Sequence, residues 1–72
     1  MLRYIISESK LNIDDAEVDT YGITAYCGKT ALKTIDDIST DRNFVISLIE
    51  KLNFHQVELC HFYDIVIDEL NR

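Results

Sequence analysis

The sequence contains no proline and no tryptophan, and only two glycines and two cysteines among its 72 residues. Without proline and with so little glycine, a flexible linker is excluded, so we predict a single domain over residues 1–72. Cys27 and Cys60 match no zinc or redox spacing, and we interpret both as small apolar core residues. A domain of this size often depends on a metal ion, a disulfide or a second chain for part of its stability.

Long apolar runs are also missing from the sequence. No run approaches the roughly 20 residues that a membrane-spanning helix needs. The first residues, MLRYIISES, have neither the apolar segment nor the small-residue cleavage site of a signal peptide. We therefore expect a cytoplasmic protein that has no contact with membranes.

Basic residues are scarce, because seven lysines and arginines stand against thirteen acids and give a net charge of −6. Binding to phosphates needs clustered positive charge, so this balance argues against contact with nucleic acid. Acids spread along a whole chain are typical of a solubilising surface. The alternative is an acidic mimic of nucleic acid that inhibits a DNA-binding protein. It requires one ordered carboxylate surface made by Glu17, Asp19, Asp36, Asp37 and Asp41.

In the first half of the chain, apolar and polar residues alternate, and this alternation predicts three strands. The first strand covers Leu2–Glu8, and the second covers Glu17–Cys27. A loop is predicted between them at about residues 9–15, where asparagine and aspartate are frequent. The Gly-Lys pair at 28–29 fits a two-residue hairpin turn, after which a third strand runs over about Thr30–Asp37. This turn predicts that Cys27 pairs with Thr30, Ala25 with Leu32, Ile23 with Thr34, and Tyr21 with Asp36.

The apolar period changes from two to 3.6 in the second half, which predicts two helices. Side-chain oxygens at residues 39–41 can accept hydrogen bonds from the free amides of the first helical turn. We therefore interpret the segment DDISTDR as a helix start, and not as a catalytic or calcium-binding site. The first helix is expected to end near Asn53, and the second to begin near His55 with Glu58 in its first turn. The apolar stripe of the first helix is Phe44, Val45, Leu48, Ile49 and Leu52.

These elements predict an α+β fold, in which a three-stranded antiparallel meander is followed by two helices packed on one face (β-β-β-α-α). The other face of the sheet is then uncovered, and an uncovered apolar face is typical of a partner-binding surface. We expect a homo-oligomer or another protein partner on this face. The residues predicted to line it are Ile5, Val18, Tyr26, Ala31 and Ile35.

Motifs of catalysis are absent from the sequence, which has no glycine-flanked nucleophile and no phosphate-binding loop. We expect a non-catalytic protein without a cofactor. Glu58, His61 and Asp64 are the candidate metal ligands, because their i, i+3 spacing places them on one face of a helix. Cys60 is expected to point about 100° away from His61. The simpler interpretation of these residues is a polar stripe beside the apolar one.

Four short motifs resemble those of a known family. They are TYGI at Thr20–Ile23, DDISTDR at Asp36–Arg42, LIEKLN at Leu48–Asn53 and ELCHFYDIVIDEL at Glu58–Leu70. Over roughly residues 18–70 the chain is similar to a family of small uncharacterised single-domain proteins of clostridia-like Gram-positive bacteria. Members often have a proline near the start of the last helix, where this chain has His55 and Gln56. The family has no assigned activity, so the resemblance implies no catalytic residue.

Overall fold

The structure, a computed structural model, describes residues 2–72. Its three strands form one antiparallel sheet in the order β1-β2-β3 and are followed by two helices, which confirms the predicted fold. Within the described residues, neither helix has the length and apolar composition needed to span a bilayer. The elements are β1 (Leu2–Ile13), β2 (Ala16–Cys27), β3 (Thr30–Ser39), α1 (Arg42–Phe54) and α2 (Leu59–Leu70).

The first two strands form one long hairpin of twelve residues each. Its turn consists of Asp14 and Asp15, whose φ angles of 52° and 66° are those of a type I′ turn. Aspartate enters this left-handed region more readily than most residues do. The predicted loop at residues 9–15 is therefore wrong, because β1 continues through Ile13 and only two residues make the turn.

The second hairpin turns as predicted, with Gly28 at a φ of 61° and Cys27 opposite Thr30. The register predicted beyond this pair is wrong, because β3 bulges twice against β2. Leu32 is the extra residue of the first bulge, and it is 46% exposed instead of lying in the core. The observed pairs are Tyr26 with Ala31, Ala25 with Lys33, Thr24 with Thr34, Ile23 with Ile35, and Tyr21 with Ser39.

The second bulge lies at residues 36–38 of β3, opposite Gly22 of β2. Asp37 has a φ of 54° there, and Ile38 is returned to the core. The backbone of β3 comes so close that an ideal Cβ on Gly22 would lie 2.2 Å from the carbonyl oxygen of Ile35. Only glycine allows this approach, so the second bulge requires that residue 22 have no side chain.

Asp41 is the N-cap of α1, as the segment DDISTDR suggested. Its carboxylate accepts hydrogen bonds from the N–H groups of Asn43, at 3.0 Å, and Phe44, at 3.4 Å. Ser39 supports the cap, since its Oγ accepts from the N–H of Asp41 at 3.0 Å. The interpretation of this segment as a helix start is confirmed, although only Asp41 accepts from amides of the first helical turn.

The end of α1 is a left-handed turn that also separates the two helices. The helix ends at Phe54, which confirms the predicted end near Asn53, and Gln56 carries a positive φ angle of 49°. The N–H of Val57 then donates to the carbonyl of Leu52 at 3.1 Å, which is the long hydrogen bond of a Schellman motif. The predicted start of the second helix near residue 55 is wrong, because the chain reverses here and α2 begins at Leu59.

The core lies between the helices and the front face of the sheet, which we define as the face that carries Tyr4, Ile23 and Ala25. Ile35 was predicted on the opposite, back face, but it pairs with Ile23 and packs against the core. The bulge at Leu32 causes this difference, since one extra residue moves the following side chains to the other face. The buried residues are Tyr4, Ile23, Ala25, Ile38, Val45, Leu48, Ile49, Leu52, Phe62 and Val66.

Candidate functional site

Tyr4 links the sheet to both helices and to the loop between them. Its backbone N–H donates to Oδ1 of Asn53 at 2.9 Å, and its carbonyl accepts from Nδ2 of Asn53 at 2.9 Å. The Tyr4 hydroxyl donates to the carbonyl oxygen of Val57 at 2.6 Å. Its ring packs on Phe62, with the centroids 4.8 Å apart and the rings tilted by 59°. One residue of β1 thus fixes the position of the helical layer.

Asn53 has a role that its place in the sequence did not reveal. A side-chain amide presents N–H donors beside a carbonyl acceptor, so it can imitate the peptide group of a neighbouring strand. Asn53 therefore occupies the open edge of β1 at Tyr4, where another chain could otherwise pair. The other edge of the sheet is β3, whose two bulges disturb a regular ladder. Both edges are therefore poor places for an added strand beside the core.

Burial raises the pKa of the Tyr4 hydroxyl above its usual 10.0, and the charge of the Cys60 thiolate raises it further. The folded protein consequently prefers neutral tyrosine more strongly than the unfolded chain does. This contribution to stability is complete below about pH 10 and is lost as the pH rises through the folded-state pKa.

We expect Tyr4→Phe to lower the free energy of unfolding by about 1–2 kcal/mol at neutral pH, because the Val57 carbonyl loses its donor. Urea unfolding followed by circular dichroism at pH 7 and above pH 10 measures this loss. The wild type should lose stability at the higher pH more steeply than Tyr4→Phe. The control is Tyr63→Phe, since Tyr63 is 52% exposed and should change little. Equal midpoints for both variants at both pH values would contradict the expectation.

The back face of the sheet has no helix over it in the part of the chain that the structure describes. Three of its large apolar side chains are exposed, Ile5 at 41%, Leu11 at 37% and Ile13 at 51%, whereas Val18 and Tyr26 are half-buried. The predicted residues Ile5, Val18, Tyr26 and Ala31 lie on this face. Leu11 and Ile13 were missed because the sequence suggested a loop there, although their alternation with Lys10 and Asn12 continues the strand pattern. We call this set the back-face patch: Ile5, Leu11, Ile13, Val18, Tyr26 and Ala31.

Between the two ends of the back-face patch lies a band of hydroxyl groups that bond to one another. Asp37 accepts hydrogen bonds from Oγ of Ser9, at 2.9 Å, and from Oγ1 of Thr20. The bond from Thr20 and then that from Ser9 lower the pKa of Asp37 below its usual value, although desolvation opposes them. Thr24 and Thr34 form a second pair, with their hydroxyl oxygens 2.9 Å apart. Both hydrogen bonds reach Oδ1 of Asp37, so a partner that covers the band would have to leave the other carboxylate oxygen hydrated or paired.

The start of α2 gathers three possible metal ligands, although not the three that helical spacing suggested. The ligand atoms of Glu58, Cys60 and His61 lie within 4.8 Å of one another, and all three residues are exposed. The prediction that Cys27 and Cys60 are core residues is wrong, because both are exposed. Cys60 was also expected to point away from His61, but its Sγ is 3.8 Å from Oε2 of Glu58. Glu58 reaches it because it precedes the helix with an extended backbone, at φ −73° and ψ 151°. Asp64 lies outside this group.

A surface depression of about 510 Å³ lies beside the start of β1 and the loop between the helices. Its charged groups are those of Arg3 and Glu58. The described lining residues include no serine, cysteine or lysine that a neighbouring base could activate. The lining consists of Leu2, Arg3, Asn53, Gln56 and Glu58.

Comparison with known proteins adds one match. No curated protein and no solved structure is similar to the chain at a significant level. One family model, described as a family of unknown function, matches residues 1–72, a longer stretch than the motifs at 18–70 suggested. The origin of the chain in clostridia-like bacteria stays a prediction. Since the match covers the whole sequence, the chain belongs to the family of unknown function DUF6514.

Proposed function

We propose that the protein is a small, non-catalytic cytoplasmic interaction module that binds a second copy of itself through the back face of its sheet. The observation that carries this proposal is the exposure of Ile5, Leu11 and Ile13 on a face without a covering layer. Removing apolar surface from water contributes about 25 cal/mol per Å². Two back-face patches in contact would gain this contribution on both chains.

The distribution of charge favours a second copy as the partner. The chain carries a net charge of −6, so two copies repel one another at random orientations. On the β1–β2 hairpin, however, Arg3 is the one charged residue whose side chain belongs to the back face. Glu8, Lys10, Glu17 and Asp19 of the same strands belong to the front face. Asp37 of β3 adds a negative charge to the same face. Because Arg3 and Asp37 have opposite signs, two back faces repel one another less than two chains at random orientations do.

The size of the back face also suits self-association. Twelve residues at about 3.3 Å each make a strand of about 40 Å, which agrees with the longest dimension of the molecule, 40 Å. Three strands about 4.8 Å apart then form a face of roughly 600 Å². This is close to the roughly 800 Å² that each partner buries in a stable interface. Because Asn53 and the bulges protect the edges, face-to-face packing is favoured over strand addition.

The positions of the acids support the acidic mimic less well. That function needs Glu17, Asp19, Asp36, Asp37 and Asp41 on one surface. Glu17 belongs to the front face and forms an ion pair with Lys10, at 3.6 Å. The carboxylate of Asp37 is bonded within the hydroxyl band of the back face, and that of Asp41 caps α1. The carboxylates are therefore divided among different surfaces and several are already engaged.

We expect Leu11→Glu to weaken self-association by roughly tenfold to a hundredfold, because each dimer would bury two copies of the new charge. Sedimentation velocity over about 1 µM to 1 mM protein measures this change. The matched control is Leu70→Glu, since Leu70 of α2 is 44% exposed and Leu11 is 37% exposed. The control should associate as the wild type does.

Two results would overturn the proposal. One is a wild-type protein that sediments as a monomer throughout this range. The other is an equal loss of association in both variants, which would assign the effect to added negative charge and not to the back face.

A further inference from the structure

We propose that Glu58, Cys60 and His61 form a Zn²⁺ site at the start of α2, with water as the fourth ligand. A thiolate, an imidazole and a carboxylate are the three ligand types that zinc takes from proteins. Calcium and magnesium prefer oxygen ligands alone, so the sulfur and nitrogen atoms select against them. Zinc binding at this place is independent of the self-association proposed above.

The distances are close to those of a tetrahedral ion. Bonds of about 2.3 Å to sulfur and 2.0 Å to oxygen place the two ligand atoms about 3.5 Å apart. Sγ of Cys60 and Oε2 of Glu58 are 3.8 Å apart, and the ligand atom of His61 completes a group within 4.8 Å. Because all three side chains are exposed, rotations that move their ends by about 1 Å are enough to close the site.

The carboxylate of Glu58 does not cap α2, although Glu58 is the N-cap residue of that helix. Helices usually begin with a short residue whose oxygen accepts from the first amides. Glu58 is the N-cap of α2, yet its side chain makes no capping hydrogen bond. The two ion pairs recorded among residues 2–72 join Lys10 to Glu17 and Lys51 to Glu69, so neither includes it. Its recorded contact is with the thiol of Cys60, which is a second zinc ligand in this arrangement.

The charges of the proposed site balance. A thiolate and a carboxylate together neutralise the two positive charges of zinc, and a neutral imidazole adds none. The complex therefore avoids repulsion from the positive end of the α2 dipole. An ion held by Glu58, Cys60 and His61 would also tie the N-cap residue to the first helical turn. It would thus stabilise the one helix start that has no side-chain cap.

Exposure sets the expected strength of binding. Buried four-ligand sites hold zinc far more tightly than three exposed ligands can, so we expect a dissociation constant on the order of 1 µM. The open fourth position lets another ligand replace the water.

The test is a titration of the untagged, reduced full chain with Co²⁺, which reports thiolate ligands by charge-transfer absorption in the near ultraviolet. We expect this absorption to saturate at one ion per chain and to disappear when Zn²⁺ is added. Cys60→Ser should abolish the absorption, and His61→Ala should weaken binding at least about tenfold. The matched controls use the other cysteine and the other histidine, Cys27→Ser and His55→Ala, which should bind as the wild type does.

A second measurement is thermal unfolding with and without Zn²⁺. An ion that binds only the folded chain should raise the melting temperature of the wild type and of both controls, but not of Cys60→Ser. Three results would overturn the proposal: no saturable absorption, equal absorption in Cys60→Ser, or one ion bound per two chains. A loss of binding in Asp64→Asn equal to that in His61→Ala would assign the ion to the helical-face ligands instead.

Discussion

Replacing Gly22 by alanine is expected to prevent the chain from folding to its native structure. The added Cβ would lie 2.2 Å from the carbonyl oxygen of Ile35 and 3.0 Å from Cα of Asp36, and both are backbone atoms. No side chain can turn away to relieve these contacts, so β3 would have to leave β2 at the second bulge. We expect a loss of at least about 3 kcal/mol, comparable with the whole stability of a domain of this size.

The matched control for Gly22→Ala is the other glycine of the chain. Gly28 lies in the turn between β2 and β3, where an added Cβ would meet no atom within 4 Å. Gly28→Ala costs only the strain of its positive φ angle, which is about 1–2 kcal/mol. Far-ultraviolet circular dichroism and urea unfolding compare the two variants. If Gly22→Ala unfolds cooperatively with a midpoint at or above that of Gly28→Ala, the close approach of β3 to residue 22 is wrong.

Replacing Phe62 by alanine is expected to cost about 3–5 kcal/mol, which would leave most of the protein unfolded at room temperature. Phe62 is fully buried and is the one α2 residue whose ring packs on the ring of Tyr4. Its removal would open a cavity between α2 and the sheet, and Tyr4 would lose the surface that holds its ring. The helices would then be joined to the sheet mainly through α1.

Phe54→Ala is the matched control, because the same atoms are removed from a side chain that is 83% exposed. Phe54 contacts the ring of His55, with centroids 5.1 Å apart, at the outer end of α1. Its removal should change the free energy of unfolding by less than about 0.5 kcal/mol. Urea unfolding of both variants gives the difference directly. Similar losses in the two variants would mean that α2 is not seated on the core through Phe62.

Features that depend on near neighbours in the sequence could be predicted. The helical stripe of α1 was identified in full, because its residues follow one another at a fixed angle around one axis. The cap at Asp41 was recognisable because a short acceptor precedes the first apolar turn. The Gly28 turn was recognisable because glycine enters positive φ angles without strain.

The candidate sites were predicted only in part, since each depends on a local departure from regular geometry. Ile35 was placed on the wrong face because one extra residue at Leu32 reverses the alternation that follows it. Cys60 was set aside because ideal helical spacing separates it from His61, whereas an extended Glu58 reaches it from outside the helix. Periodicity describes regular elements and carries no signal for the places where they are interrupted.

By itself the sequence determined the order of the elements, the apolar stripe of α1 and the cap at its start, because these follow from contacts within a few residues along the chain. Only the tertiary structure decided that Asn53 closes the edge of β1 at Tyr4, residues that are 49 positions apart. It also decided that the backbone of β3 comes into close contact with Gly22 and that the back-face patch extends to Ile13. Such contacts join residues that are distant in sequence, and their geometry follows from how the whole chain packs around one core.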